Sequence, residues 1–348
     1  MIPEENCLEK DNKSQPKVSV IIPVKNGAAH IKDVLDSLMQ VGYEKDKLEI
    51  IVVDGNSTDG TREIVAQYPV KLLTEERPGL NAARNTGLKH STGEIVAFTD
   101  YDCVVPKDWI DKIVKNFQKP EVGCIGGNII GYHNDFLSQY ADKSVMPVMR
   151  IFKKRKILNT VKPPWHYPAG CNMAFKREAI KKAGMFDEKI RYGFDEDELV
   201  ERVCKAGYNM VLDPEVVIKH KHRPTLTSLL KQTFNYGRGM GYMLRIKGLK
   251  SLFSKWALYC VLVFLFWVIT IFAFLALSFL TSTVIYKGIL LFLILFPLGA
   301  LVIFYAYESA VNKKVKYKSA LIYPFLDIAR VFIYVFGIIY QVLKIENL

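Results

Sequence analysis

No aspartate or glutamate occurs from Val216 to Tyr307, although the chain carries 35 acidic residues against 47 lysines and arginines. Inside that gap, Trp256 to Leu280 has no charge of either sign. A helix of that length reaches about 38 Å, more than the ~30 Å of bilayer hydrocarbon. CxxC and close cysteine pairs are also missing. Cys7, Cys103, Cys124, Cys171, Cys204 and Cys260 are scattered, which excludes a disulfide scaffold or zinc ribbon and suits a reducing compartment. Neither GxGxxG nor GxxxxGK[ST] is present, which argues against hydride transfer and P-loop chemistry. Internal repeats are absent. Residues 1–16 lack the apolar core of a signal peptide and read as a loose leader. With 50% hydrophobic and 24% charged residues among 348, the chain is neither disordered nor collagen-like.

What is present divides into a soluble front and an apolar back. Gly288 to Tyr307 is a second uncharged stretch, and Ser319 to Leu343 is a third apolar segment interrupted by Asp327 and Arg330. Those two stand three apart, share a helical face and could pair. For this third segment, spanning, re-entrant and interfacial placements all stay open. Nine Lys/Arg lie between Lys219 and Lys255, and Lys313, Lys314, Lys316 and Lys318 follow the second stretch. The loop from Thr281 to Lys287 has one lysine. The positive-inside rule then predicts a multi-pass integral membrane protein with residues 1–255 and 308–318 cytoplasmic. A third span would put the C-terminus outside. The formal net charge of +12 sits mostly beside the membrane, where anionic headgroups attract it. No basic–aromatic stacking motif points to nucleic acid.

The front alternates strand and helix. Apolar runs at Val18–Val24, Leu48–Val53, Val70–Leu73, Glu94–Thr99 and Val122–Ile130 predict strands, with helical spacing between them. Near-continuous apolar strands alternating with helices imply an α/β fold with a mostly parallel sheet covered on both faces. Polar clusters fall at the strands' C-terminal ends, where open α/β sheets bind ligands. Beyond residue 150 the pattern loosens. The basic run Lys153–Lys162 and the aromatic, proline-rich Pro163–Pro168 are read either as a loop over the site or as a surface connection.

Three clusters carry chemistry. Asp100-Tyr-Asp102 follows a buried strand and could hold a hard divalent cation, Mg2+ or Mn2+, or simply cap a turn. Asp195-Glu-Asp-Glu198 opens a helix. The macrodipole favours acids there, but four in a row repel, so one could have a raised pKa and act as a general base. His220-Lys-His222 follows another apolar run and could add a metal or phosphate contact.

Four segments together resemble family-2 glycosyltransferases of the GT-A fold. They are Val18-Ser-Val-Ile-Ile-Pro23; Ile51-Val-Val-Asp-Gly-Asn-Ser-Thr-Asp-Gly-Thr61; Gly79 to Gly87 leading to Thr99-Asp-Tyr-Asp102; and Ala169 to Glu178 leading to Gly184-Met-Phe-Asp-Glu188. The resemblance covers about Val18 to Arg238. It implies a GT-A domain over 17–224; the charge and hydropathy pattern adds a basic juxtamembrane helix region (225–255) and a membrane domain (256–345) with spans near 256–280 and 288–307, the placement of 319–343 staying open. The resemblance implies that Pro23, Lys25 and Asp54 border the nucleotide base and Arg84 the diphosphate. Asp100 would contact ribose or metal, and Asp102 would ligate Mg2+ or Mn2+ with His220, or His222, as a supplementary contact. Gly170 and Asn172 would border sugar and acceptor, with Trp165 and Arg238 on the acceptor side. The family's acidic pair stands three residues before a Leu and six before an Arg, which points to Glu196, preceded by Asp195. A one-residue shift would make it Asp197. Gly55 replaces the family's usual second aspartate.

The implied activity is inverting transfer of a sugar from a UDP- or GDP-sugar to a lipid or lipid-linked glycan, at the membrane. A processive polysaccharide synthase is the rival. Its Gln-x-x-Arg-Trp is missing, the comparable run being Gln232-Thr-Phe-Asn-Tyr236 followed by Gly237 and Arg238. A non-catalytic nucleotide-sugar-binding scaffold is less favoured, because the acids remain.

Overall fold

The computed structural model describes residues 15–146, 151–163, 166–190, 192–281 and 283–344. Its strands are β1 (Val18–Val24), β2 (Leu48–Asp54), β3 (Lys71–Thr74), β4 (Ile95–Phe98), β5 (Cys103–Val104), β6 (Val122–Gly131), β7 (Lys156–Leu158), β8 (Met173–Lys176) and β9 (Asn209–His220). The helices of the same part are α1 (Ile31–Met39), α2 (Thr61–Val65), α3 (Leu80–His90), α4 (Trp109–Asn116), α5 (Phe136–Lys143), α6 (Arg177–Ala183) and α7 (Asp195–Lys205). Four long helices follow: α8 (Leu226–Lys247), α9 (Leu252–Leu280), α10 (Val284–Ala310) and α11 (Tyr317–Leu343).

The five expected strands form, within two residues of their expected ends. One sheet runs β3-β2-β1-β4-β8-β6-β9-β5, with β7 also on β9. The first four strands are parallel, as continuous apolar sequence requires; every residue of β1 is buried. The sheet is nonetheless mixed. The four residues of β8 insert antiparallel between β4 and β6. Beside β8, Gly126 lets Pro168 approach so closely that a Cβ there would lie 2.6 Å from the proline ring. The basic run, read as a loop over the site or a surface connection, contains the short strand β7, antiparallel to β9 and largely exposed.

Helices cover both faces. One core contains Ile31, Val34 and Leu35 of α1 with Trp109 and Ile113 of α4; the other contains Ala83 of α3, Ile180 of α6 and Leu199 and Val203 of α7. Apolar area buried on both sides, at about 25 cal/mol per Å2, holds the sheet central. In register, Val24 lies beside Asp54 and Ile21 beside Phe98. The residues just after β1, β2 and β4 therefore emerge along one edge.

Helices α9, α10 and α11 are each long and apolar enough to cross a membrane. The third apolar segment is thus one continuous helix. It is the least apolar of the three because it packs against α8. A Cβ on Gly237 would come within 2.1 Å of Tyr334 O, one on Gly241 within 2.5 Å of Ile338 O, and one on Gly337 within 2.4 Å of Phe234 O. Small residues let these two backbones touch. Asp327 and Arg330 share a face, as their spacing predicts, but they meet through a third residue. Tyr140 Oη of α5 donates to Asp327 Oδ1 (2.7 Å) and accepts from Arg330 Nη1 (3.3 Å). Tyr305 also donates to Asp327, and Arg330 donates to Thr233 Oγ1 (3.1 Å) and Met146 O (2.7 Å).

Candidate active site

The edge is assembled from loops that hold one another. After β1, Asn26 takes a left-handed conformation (φ 51°), and its N–H donates to Ser57 Oγ (2.8 Å). Gly27 N–H donates to Thr61 Oγ1 (2.9 Å). These bonds bring Lys25, exposed just past buried Pro23, alongside buried Asp54. Asp54 accepts from Ser57 N (3.2 Å) and pairs with Arg62 (3.0 Å). Gly55 is snug rather than interchangeable with the usual aspartate, since a Cβ there would meet Lys25 Cβ at 3.2 Å.

Beyond β4, Asp100 and Asp102 diverge. Burial pushes the Asp100 carboxyl up to about 6, Arg84 pulling against it and Asp102 adding to it. Asp102 is buried, and its Oδ1 has no hydrogen-bond partner among the described residues. His220 Nε2 stands 3.4 Å from that oxygen without completing a hydrogen bond. Burial holds His220 down to about 4, so its ring is neutral at neutral pH, the form that ligates metals. Asp102, His220 and Cys103 offer ligand atoms within 4.8 Å of one another. The carboxylate and imidazole suit a Mg2+- or Mn2+-type ion. The thiol does not suit such an ion, and Cys103 is buried in contact with Cys171. His222 stands outside this group; its Nδ1 is 3.2 Å from His220 Nδ1.

The acid cluster lies across from these groups. Tyr192, Gly193 and Phe194 are consecutively left-handed (φ 72°, 98° and 66°), a strained turn that aims the first turn of α7 into the site. Arg84 of α3, almost fully buried, donates to Asp195 and lies 3.8 Å from Asp100. Gly170 makes room for it, since a Cβ there would sit 2.4 Å from Arg84 Nη2. Burial and neighbouring Glu196 push Asp195 up to about 7, against the pull of Arg84. Glu196 is the half-buried acid of the cluster; it accepts a long bond from Gly170 N (3.4 Å) and shares a hydrogen bond with Asp195. Asp197 is buried.

A cavity of about 780 Å3 joins Arg84, Asp100, Gly170 and Asp195–Asp197 to a slot between the long helices, where Trp256, Phe264, Trp267, Leu301 and Val331 line it. Asn172 and Arg238 are not among its lining residues. Asn172 spends its amide inside the fold, donating to Asn128 O and Val216 O (both 2.9 Å) and accepting from Trp109 Nε1 (3.0 Å). Arg238 stacks on Tyr192 (3.7 Å) and donates to Gln341 (3.0 Å), bracing the strained turn against α11. Trp165 lies outside the described residues. Sequence reasoning missed Arg223, whose charge acts on both Asp100 and His220. Its place directly after His222 was the available signal. It also missed Asp142, a lone acid in an ordinary amphipathic helix.

A mixed Rossmann-like sheet with acids, an arginine and histidines at one edge, followed by three long apolar helices, defines a GT-A glycosyltransferase with a candidate membrane part. The sequence model described as "Glycosyl transferase family 2" matches residues 19–184. The chain is 33% identical over 233 residues to glycosyltransferase AglE of Haloferax volcanii, an alignment covering 64% of this chain and 73% of that protein. It is 27% identical over 245 residues to probable glycosyltransferase YdaM of Bacillus subtilis, covering 66% and 57%. Mannosyltransferase PcManGT of Pyrobaculum calidifontis, solved with GDP-Man and Mn2+, superposes with a TM-score of 0.54 at 27% identity over 69% of this chain and 66% of that one. S. aureus TarS 1–349 with UDP-GlcNAc shares the fold (TM-score 0.51, 16% identity, 93% and 91% covered). The chain belongs to glycosyltransferase family 2 and is a transferase enzyme.

Proposed function

We propose that this protein is an inverting, membrane-bound glycosyltransferase that moves a sugar from a UDP- or GDP-sugar to a lipid or lipid-linked glycan. One observation carries the acceptor class: the cavity that contains the candidate base continues into an apolar slot among helices able to span a bilayer. A water-soluble acceptor would have no use for that extension.

The nucleotide lies against Pro23, Lys25 and Asp54, with its diphosphate towards Arg84 and Asp102. Asp102 and His220 would hold a Mg2+ or Mn2+ ion, whose charge would stabilise the departing nucleoside diphosphate. The acceptor hydroxyl attacks the anomeric carbon from the opposite face while Glu196 takes its proton. That proton transfer contributes about 10²–10⁴ in rate. The bond to the diphosphate breaks as the new glycosidic bond forms, so the configuration inverts. Arg84 keeps Asp195 turned away from Glu196's task. The basic residues flanking the helices support a cytoplasmic side for this domain.

The test is nucleotide release by the detergent-purified full chain from UDP- and GDP-sugars, with Mn2+, Mg2+ or EDTA and membrane lipid extract. Release from one donor is expected to need metal, to rise with lipid, to vanish in Asp102→Ala, and to fall about 10²–10⁴-fold in Glu196→Gln. Release indifferent to EDTA and lipid would overturn the reading; a ladder of lengthening glycans would favour the polymerising alternative.

A further inference from the structure

Two buried histidines and a carboxylate form a chain that ends at the candidate cation site. His222 Nε2 lies 2.8 Å from Asp142 Oδ1, and His222 Nδ1 lies 3.2 Å from His220 Nδ1. His220 Nε2 then faces Asp102 Oδ1 at 3.4 Å. The donor directions follow from one end. A carboxylate only accepts, so His222 Nε2 carries the hydrogen facing Asp142. A neutral His222 therefore presents a lone pair at Nδ1, and His220 must donate to it from its own Nδ1. That leaves the His220 Nε2 lone pair pointing at Asp102. Reversing any link would put an N–H where a cation needs a lone pair.

The carboxylate is itself fixed. Asp142 Oδ2 accepts from Gly131 N (3.0 Å) at the end of β6. A Cβ on Gly131 would lie 3.1 Å from both Asp142 Oδ2 and His222 Cδ2, so the glycine gives the pair its space. Helix α5, which carries Asp142, is capped by Asp135. Two residues earlier, Tyr140 is tied to Asp327 and Arg330 of α11. Residues two apart point to different sides of a helix. One side of α5 is thus anchored to the long helices while another reaches the histidines.

We propose that Asp142, acting through His222, is a positioning residue that sets the tautomer and ring orientation of His220 for cation binding. Outer partners of this kind typically change metal affinity by about 10–100-fold. The proposal rests on the reading that Asp102 and His220 hold a divalent cation.

Mn2+ binding to the full chain in detergent, with GDP or UDP present, is followed by loss of the free Mn2+ signal in electron paramagnetic resonance. Asp142→Ala is expected to weaken Mn2+ binding about 10–100-fold. Tyr140→Phe loosens the same helix without touching His222, and is expected to stay within about threefold of wild type. Asp142→Asn can accept from His222 or from Gly131 but not both, and is expected to fall between them. Where the alanine variant does not fold, the asparagine variant is decisive, with at least about a threefold loss expected. Wild-type affinity in the Asp142 variant that folds overturns the proposal, as does an equal loss in Tyr140→Phe, which would mean helix placement alone. Wild-type protein that takes up no Mn2+ overturns the cation reading together with the proposal; a wild type that binds beside an unaffected variant overturns the proposal alone.

Discussion

Asp195 shows how one residue's surroundings decide its task. Its carboxyl shares a buried space with Arg84 and Glu196, and burial raises its pKa to about 7. In the unfolded chain the same group titrates near 3.9. Between those values the folded protein binds the extra proton, so this group's contribution to stability is full below about pH 4 and is lost as pH rises through about 7. Asp195→Asn removes that titration. In melting experiments from pH 4 to 8, wild type is expected to lose stability relative to Asp195→Asn as pH rises, most of the change falling by pH 7. A gap that stays constant or widens in wild type's favour would show that Arg84 keeps the carboxylate ionised throughout. At this scale the sequence was informative but incomplete. The family resemblance singles out Glu196 by its spacing to Leu199 and Arg202, with Asp197 one shift away. It does not single out Asp142, because its partner His222 is 80 residues away and nothing local distinguishes it. Asn172 stands within a recognisable motif, yet the structure turns its amide into the core. Its motif singles the residue out, but does not say which way the side chain points.

At the scale of elements, period and hydrophobicity were enough for β1, β2, β4 and β6 and for the helices between them. They were not enough for β8, whose four residues are too short to show a period, or for β7, three residues at the edge of a basic run that resembles a loop. The packing of α8 on α11 was legible in principle, since glycines at 237 and 241 stand one turn apart. Their effect depends on a partner about 100 residues away. Gly237→Leu forces a side chain into Tyr334 O, and is expected to cost about 1–3 kcal/mol, the usual range for overpacking, or more. Gly288 in α10 meets nothing within 4 Å, so Gly288→Ala is expected to leave stability unchanged or raise it by up to about 1 kcal/mol. Thermal unfolding of both variants in the same detergent checks the pair. Equal losses would mean that the α8–α11 contact is not a stabilising one.

At the scale of the whole molecule, charge asymmetry sets the proposed orientation. Lys313 is exposed after α10, and the native cysteines in the described part are buried or half-buried. In Lys313→Cys, an impermeant thiol reagent is expected to label inverted vesicles and not right-side-out ones. Labelling from outside would reverse the assignment of the catalytic side. The interruption of α11 by Asp327 and Arg330 was visible as an anomaly in an apolar run. That it anchors the helix bearing Asp142 was not, because Tyr140 lies 187 residues from Asp327.

If the proposed lipid acceptor enters through the apolar slot, substrate must be counted differently. A molecule reaching the site sideways, between helices, is met per unit of membrane area and not per volume of solution. Diluting such an acceptor with inert lipid at constant bulk concentration would slow turnover, while diluting the whole vesicle suspension at constant lipid composition would not. Saturation would then be expressed as a mole fraction, and crowding within the leaflet would set the pace of the enzyme.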